Sequence, residues 1–213
     1  MRASSIWLIV LARDPGGAKT RLASALDASV RSDLVIAMLR DVLASSSEVA
    51  FARHVVATES DTVRAIAAEA GFDALAVPPD GMNDAADAAL RAADRAGAPA
   101  VLLLAADLPL IAGSDLERMV EASESAAVVI APDRHGRGTN ALLLAPPLVI
   151  APAFGAKSFS AHRARATEAG ARFALVNTPG LATDVDDADD LRVVGEAVAG
   201  ERTASALRAA RVR

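Results

Sequence analysis

Three stretches of this chain carry residue types that do chemistry together. The first is AVLLLAAD, Ala100 to Asp107, where seven apolar residues end on a carboxylate and Pro109 follows. The second is TDVDDADDL, Thr183 to Leu191, with Asp184 and Asp186 two positions apart. In extended backbone that spacing points both carboxylates to one side. Asp107, Asp184 and Asp186 would repel one another as a bare set. They become favourable around a hard cation, and oxygen ligands with open positions suit Mg2+ carrying phosphates. Asp187, Asp189 and Asp190 read differently, as first-turn helix acids favoured by the helix dipole. The third stretch is RDPGGAKTRL, Arg13 to Leu22, where two glycines accompany Arg13, Lys19 and Arg21. Glycines let backbone amides approach an anion, and the cations neutralise it. The spacing of a Walker loop is absent, as is a G-x-G-x-x-G fingerprint. Asp107, Arg13 and Lys19 form the candidate catalytic set, with Lys19 and Arg21 on a phosphate-bearing ligand.

The elements around these stretches alternate between short aliphatic runs and helical periods. Ser5 to Ala12 reads as a buried strand, and apolar residues recur at helical spacing from Ser29 to Ser46. Strands follow at His54–Thr58, Ala74–Pro78 and Ala100–Asp107, with helices at Asp61–Ala70, Asn83–Ala96 and Ser114–Glu124. Such alternation implies a parallel sheet, and solid apolar runs imply cover on both faces. AAVVIAPD and NALLLAP lie so close together that the sheet turns antiparallel there. The expectation is one α/β domain over residues 1–213. Ligands of open α/β sheets bind beyond the carboxyl ends of the strands, where Asp107 sits. A lone acid at that place could equally cap the next element. RHGRGTN, Arg134 to Asn140, is a second hydrogen-bonding turn, and FGAKS precedes a helix that Ser158 would cap, with a helix end open to phosphate. The basic tail from Arg202 to Arg213 reads as a solvated or partner-packed helix.

Composition narrows the classes. Apolar residues make up 53% of the 213, aromatics only 3%, and the net charge is −5. That balance argues against a nonspecific nucleic-acid binder. With no cysteine, disulfides, thiolate metal sites and cysteine nucleophiles are excluded. The apolar run after Arg2 is too short for a signal peptide, and no run reaches the length of a bilayer span. The expectation is a soluble, cytoplasmic protein. His135 and His162 are isolated, His54 begins a strand in a structural or exposed place, and nothing sets a base beside Ser45, Ser46 or Ser47. No covalent nucleophile is evident.

Six short motifs occur in order: A-K-T-R-L, M-N-x-A at Asn83, A-D-L-P at Asp107, G-T-N-A-L at Gly138, F-G-x-x-S with His162 four residues later, and D-V-D-x-x-D-D-L. Together they resemble the CofC/FbiD guanylyltransferases of deazaflavin coenzyme F-420 biosynthesis, from about Leu8 to Val194. The resemblance implies a three-layer, Rossmann-like mixed sheet of the nucleotide-diphospho-sugar transferase type. It implies transfer of GMP from GTP to 2-phospho-L-lactate, phosphoenolpyruvate or 3-phosphoglycerate, with release of pyrophosphate. It implies that Asp107, Asp184 and Asp186 hold Mg2+, that Thr139, Gly155 and Ser158 contact the phosphorylated acid, and that Asn83 lies near the guanosine. One departure stands out: many members have lysine where this chain has Arg13, whose planar guanidinium prefers bidentate contacts. Arg13 is assigned to the acceptor. The alternatives are a molybdopterin-type nucleotidyltransferase, a nucleotide-sugar transferase of the same fold, and a non-catalytic nucleotide-binding module. The first would carry an L-x-x-G-x-S-x-R-M-G loop, and the second a D-x-D at the fourth strand. Apolar alanine-rich helices leave surface for a homodimer.

Overall fold

A computed structural model describes residues 1–79, 81–197 and 200–211. Seven strands form one mixed sheet in the order β3-β2-β1-β4-β6-β5-β7. They are β1 (Ile6–Leu11), β2 (Arg53–Thr58), β3 (Asp73–Ala76), β4 (Ala100–Ala105), β5 (Val128–Pro132), β6 (Thr139–Leu144) and β7 (Phe173–Leu175). The helices are α1 (Ala28–Ser47), α2 (Asp61–Glu69), α3 (Met82–Arg95), α4 (Gly113–Ala122), α5 (Ser158–Glu168), α6 (Pro179–Ala182), α7 (Ala188–Glu196) and α8 (Glu201–Arg211). Among the described residues, no helix is long and apolar enough to cross a membrane.

Alternate residues of the central strands face opposite layers, so each solid apolar run serves two cores. Leu8, Val10, Leu102 and Leu104 pack with α1, α2 and α4 on one face. Ile9, Leu11, Val101 and Leu103 pack with α3 and with Ala166 of α5 on the other. Strands β1 to β4 pair in parallel, while β6 runs antiparallel to both β4 and β5. The antiparallel expectation for the APD and NALLL runs is met, and β6 is inserted between β4 and β5 rather than beyond them.

The register explains why the chemistry gathers at one edge. Leu11 of β1 lies level with both Ala57 at the end of β2 and Ala105 at the end of β4. Because β6 is antiparallel, its first residues meet the last residues of β4, with Ala141 opposite Leu104. Four loops therefore open at the same rim.

Two elements differ from the sequence reading. The third strand starts and ends earlier than Ala74–Pro78, and it is a largely exposed edge strand rather than a buried run. Strand β7 was not expected at all; it adds Phe173–Leu175 in parallel to β5. The C-terminal helix docks on α1: the buried Asp41 carboxylate accepts from the backbone N–H groups of Arg202 and Thr203 at the start of α8. Val212 and Arg213 of the expected tail lie outside the described residues.

Candidate active site

Strand β4 stops at Ala105, and Asp107 stands two residues beyond it in a turn that Pro109 keeps from rejoining the sheet. The segment Asp184–Val185–Asp186 reaches the same place through packing. Val185 is fully buried in a small core with Leu22, Leu34, Met38 and Val194. Burying a Val side chain contributes roughly 1.5–3 kcal/mol, which anchors the segment. Its two aspartates then turn away from that core, to one side. Leu22 belongs to the same cluster, so the loop carrying Lys19 and Arg21 is pulled toward the aspartates.

One oxygen from each of Asp107, Asp184 and Asp186 lies within 4.8 Å of the others. The Lys19 ammonium donates to Asp107 and, at 2.9 Å, to Asp186, while an Arg21 guanidinium nitrogen stands 3.6 Å from Asp186. Lys19 adopts a left-handed backbone conformation, φ 55°, which costs a side-chain-bearing residue roughly 1–2 kcal/mol. Burial would lower the Lys19 pKa, but the charges and hydrogen bonds of Asp107 and Asp186 outweigh it and hold the group above its ordinary value. Burial, and next the charge of Asp107, push the Asp184 carboxyl up to about 6, with Asp186 adding to the rise. Asn140 opposes this by donating to Asp184 at 3.2 Å and to the Leu181 carbonyl at 3.0 Å. Three acids held this close, one of them reluctant to ionise, form a set that a divalent cation would relieve. The all-oxygen donor chemistry fits Mg2+.

Arg13, Lys19, Arg21, Asp107 and Asp186 line a cleft of about 400 Å³, together with Ala12, Ala106 and Met82. The glycine loop serves it less directly than expected. The Gly16 N–H is already engaged by the Asp14 carboxylate at 2.8 Å, so that amide is not free for an anion.

Thr139, Gly155 and Ser158 gather around the start of α5 and are not among the residues that line this cleft. Ser158 is not the cap of α5. Lys157 occupies the cap position without a side-chain bond, and Ser158 is the first helical residue, its N–H donating to the Gly155 carbonyl at 2.9 Å. Gly155 has φ 135°, so the chain turns into the helix there by a conformation open to glycine. The buried Thr139 hydroxyl lies 3.0 Å from His162 Nδ1. Asn83 faces this side also. Its amide accepts from the Phe154 N–H at 2.6 Å and donates to the Phe154 carbonyl at 3.0 Å.

Four residues escaped the sequence reading. Asn140 sits inside the G-T-N-A-L motif yet carried no assigned role; its position beside Thr139 was the available signal. His162 looked isolated because its partners are 9 and 23 residues away. Asp190 is the first-turn acid of α7 that the sequence implies, and its further role escapes the sequence: its buried carboxylate accepts from the Asp186 and Asp187 N–H groups and pairs with Arg134 at 2.6 Å. Arg134 is the fourth, brought in from the turn between β5 and β6. Asp187 caps α7 as a helix acid should, and Asp189 is exposed.

This sheet, with acids and cations at its rim, is the fold of nucleotide-diphospho-sugar transferases and their nucleotidyltransferase relatives. A candidate nucleotide-diphospho-sugar transferase from Desulfovibrio desulfuricans G20 superposes with TM-score 0.82 at 16% identity, over 100% of this chain and 96% of that one. The 4-diphosphocytidyl-2C-methyl-D-erythritol synthase of Anaerococcus prevotii gives TM-score 0.60 at 12% identity, over 87% and 94%. The family described as guanylyl transferase CofC like matches residues 7–212, and the chain belongs to it. The phosphoenolpyruvate guanylyltransferase of Conexibacter woesei is 38% identical over 195 residues, covering 89% of this chain and 87% of that protein. The enzyme of the same name from Mycolicibacterium smegmatis is 36% identical over 209 residues, covering 96% and 91%. The chain is thus a guanylyltransferase, as the six motifs implied.

Proposed function

We propose that this guanylyltransferase joins GMP from GTP to phosphoenolpyruvate, with Mg2+ held by Asp107, Asp184 and Asp186. The observation that carries the reading is the convergence of these three carboxylates with Lys19 at the rim of the nucleotide-sized cleft. The acceptor is taken from the names of the relatives. A phosphate oxygen of the acceptor attacks the α-phosphorus of GTP. A new P–O bond forms, the bond from the α-phosphorus to the bridging oxygen breaks, and pyrophosphate leaves with the electron pair. The attacking phosphate is already ionised, so no strong general base is required.

Bound Mg2+ would supply charge neutralisation at the phosphates. The chain's own residues do the rest. Lys19 and Arg21 offer positive charge to the triphosphate, and Arg13 at the end of β1 meets the acceptor from the cleft wall. Thr139, Gly155 and Ser158 seat the acceptor. Catalysis then rests on position and preorganised charge. The single domain over 1–213, a cytoplasmic location and a homodimer belong to the same reading.

The test is pyrophosphate release from GTP and Mg2+ with phosphoenolpyruvate, 2-phospho-L-lactate and 3-phosphoglycerate supplied in turn. Release that depends on phosphoenolpyruvate supports the proposal. Release with another acid alone moves the acceptor, and folded protein inactive with all three overturns the assignment.

A further inference from the structure

His162 is fully buried, yet each of its ring nitrogens has a partner. It lies one helical turn after Ser158 on the same face of α5, with Ala166 a further turn on; all three side chains are buried. Nε2 stands 2.9 Å from the Ala153 backbone N–H. A backbone N–H only donates, so Nε2 must be the acceptor and carries no proton. The ring's single proton is then on Nδ1, which donates to Thr139 Oγ at 3.0 Å. An imidazolium would set two donors against each other at Nε2. Burial and next the charge of Arg165 hold the ring's pKa down to about 4, which agrees with a neutral ring.

The consequence falls on Thr139. Its oxygen already accepts from His162, so its own hydroxyl proton has to point elsewhere. Among the described residues, Thr139 Oγ has no other hydrogen-bond partner. The same imidazole fixes the Ala153 N–H, Asn83 fixes both backbone groups of Phe154, and Phe154 packs its ring edge-on against His162 at 5.3 Å. Gly155 follows directly.

We propose that His162 is the positioning residue of the acceptor subsite: locked as the Nδ1–H tautomer, it turns the Thr139 hydroxyl into a donor for the phosphorylated acid and holds the loop that presents Gly155. This inference rests on the acceptor reading above. The ring touches no substrate and transfers no proton. A side chain that accepts from Ala153 alone leaves the Thr139 hydroxyl free to rotate, and one that donates to Thr139 alone frees the loop.

The first test needs no substrate. Long-range proton–nitrogen correlation of the three histidine rings at pH 7, with His162 assigned by its loss in His162→Gln, reads the tautomer. Protonated Nδ1 with bare Nε2 is expected; a proton on Nε2 overturns the proposal whatever the acceptor proves to be. The second test is kinetic, with phosphoenolpyruvate as acceptor. His162→Gln, whose amide reaches toward the Nε2 position, is expected to raise the acceptor KM about tenfold and leave the GTP KM within about twofold. His162→Asn, whose amide nitrogen reaches toward the Nδ1 position, recovers part of that loss. In a Thr139→Val background, His162→Gln adds less than about twofold, because the two residues act through one hydrogen bond. Independent, fully multiplying effects, or equal rises in both KM values, overturn the proposal. Wild-type protein that releases no pyrophosphate with any of the three acids while showing the expected tautomer overturns the acceptor reading and leaves the imidazole network standing.

Discussion

The two sides of this site are built on opposite principles. On the side of Asp107, Asp184 and Asp186 the groups are charged and close together, and only Lys19 and Arg21 partly balance them. On the side of Thr139, Ala153 and Phe154 the groups are neutral and tied by hydrogen bonds, and the Thr139 hydroxyl proton is the donor left over. Charges left out of balance favour a ligand that corrects them. A network held in place with one donor to spare favours a ligand that fits without rearrangement. In the proposed reaction both would serve, since the triphosphate brings charge with its cation while the phosphorylated acid, with Arg13 meeting its charge, would be placed by shape and hydrogen bonding.

The contrast breaks most sharply at Asp107. Asp107→Asn is expected to lower turnover on the order of 10³-fold, while the melting temperature stays level or rises as carboxylate repulsion falls. Turnover near wild type under saturating Mg2+ would remove the acids from the reaction. A stability measurement probes the neutral side. The folded pKa of His162, about 4, lies below its ordinary 6.5, so its stabilising contribution is complete above pH 6.5 and is lost as pH falls toward 4. That contribution is roughly 3 kcal/mol, and chemical denaturation at stepped pH should show a shallower loss in His162→Asn than in wild type. Identical pH profiles would mean that the buried ring is not held neutral.

Asp190 and Asp189 sharpen the charged side, because they differ by one position and by burial. Asp190→Ala leaves two N–H groups beside Asp186 without their acceptor, and should raise the Mg2+ concentration for half-maximal activity about tenfold or more. Asp189→Asn should change it less than about twofold, and a large effect there would show that the wrong aspartates carry the site. An effect smaller than that at Asp190 falls on the neutral side. Asn83→Ala should raise the acceptor KM several-fold by releasing Phe154, with GTP affinity constant. A rise in the GTP KM instead would favour the guanosine contact that the family motif implies.

Much of this could be read before folding, and the limits have physical causes. Strands β1, β4, β5 and β6 were legible because each is an unbroken apolar run, the mark of a strand covered on both faces. Strand β3 carries similar letters but lies at the exposed edge, so its bounds were misplaced. Strand β7 has three residues, too few to show a period. The clustered acids were legible from the two-residue spacing of Asp184 and Asp186 and from the carboxylate that ends the β4 run. What brings them together, Val185 packing against Leu22, is a contact across the chain that no local pattern records. Asn140, Asp190 and His162 were missed for the same reason. Each acts through a partner that only the fold supplies, and an isolated histidine in a sequence says nothing of two nitrogens satisfied from different elements.

Thr139 and Asn140 are neighbours on β6, and their side chains serve the two sides separately, one toward His162 and one toward Asp184. A single peptide unit therefore sets the spacing between the place proposed for the acid and the place proposed for the cation. That unit opens a strand paired on both flanks, by β4 and by β5. Such a strand opens only when the whole molecule does. In the proposed reaction the two reactants would thus be aligned from the start of that strand, and the amide protons of Ala141 to Leu144 should be among the last to exchange with deuterium.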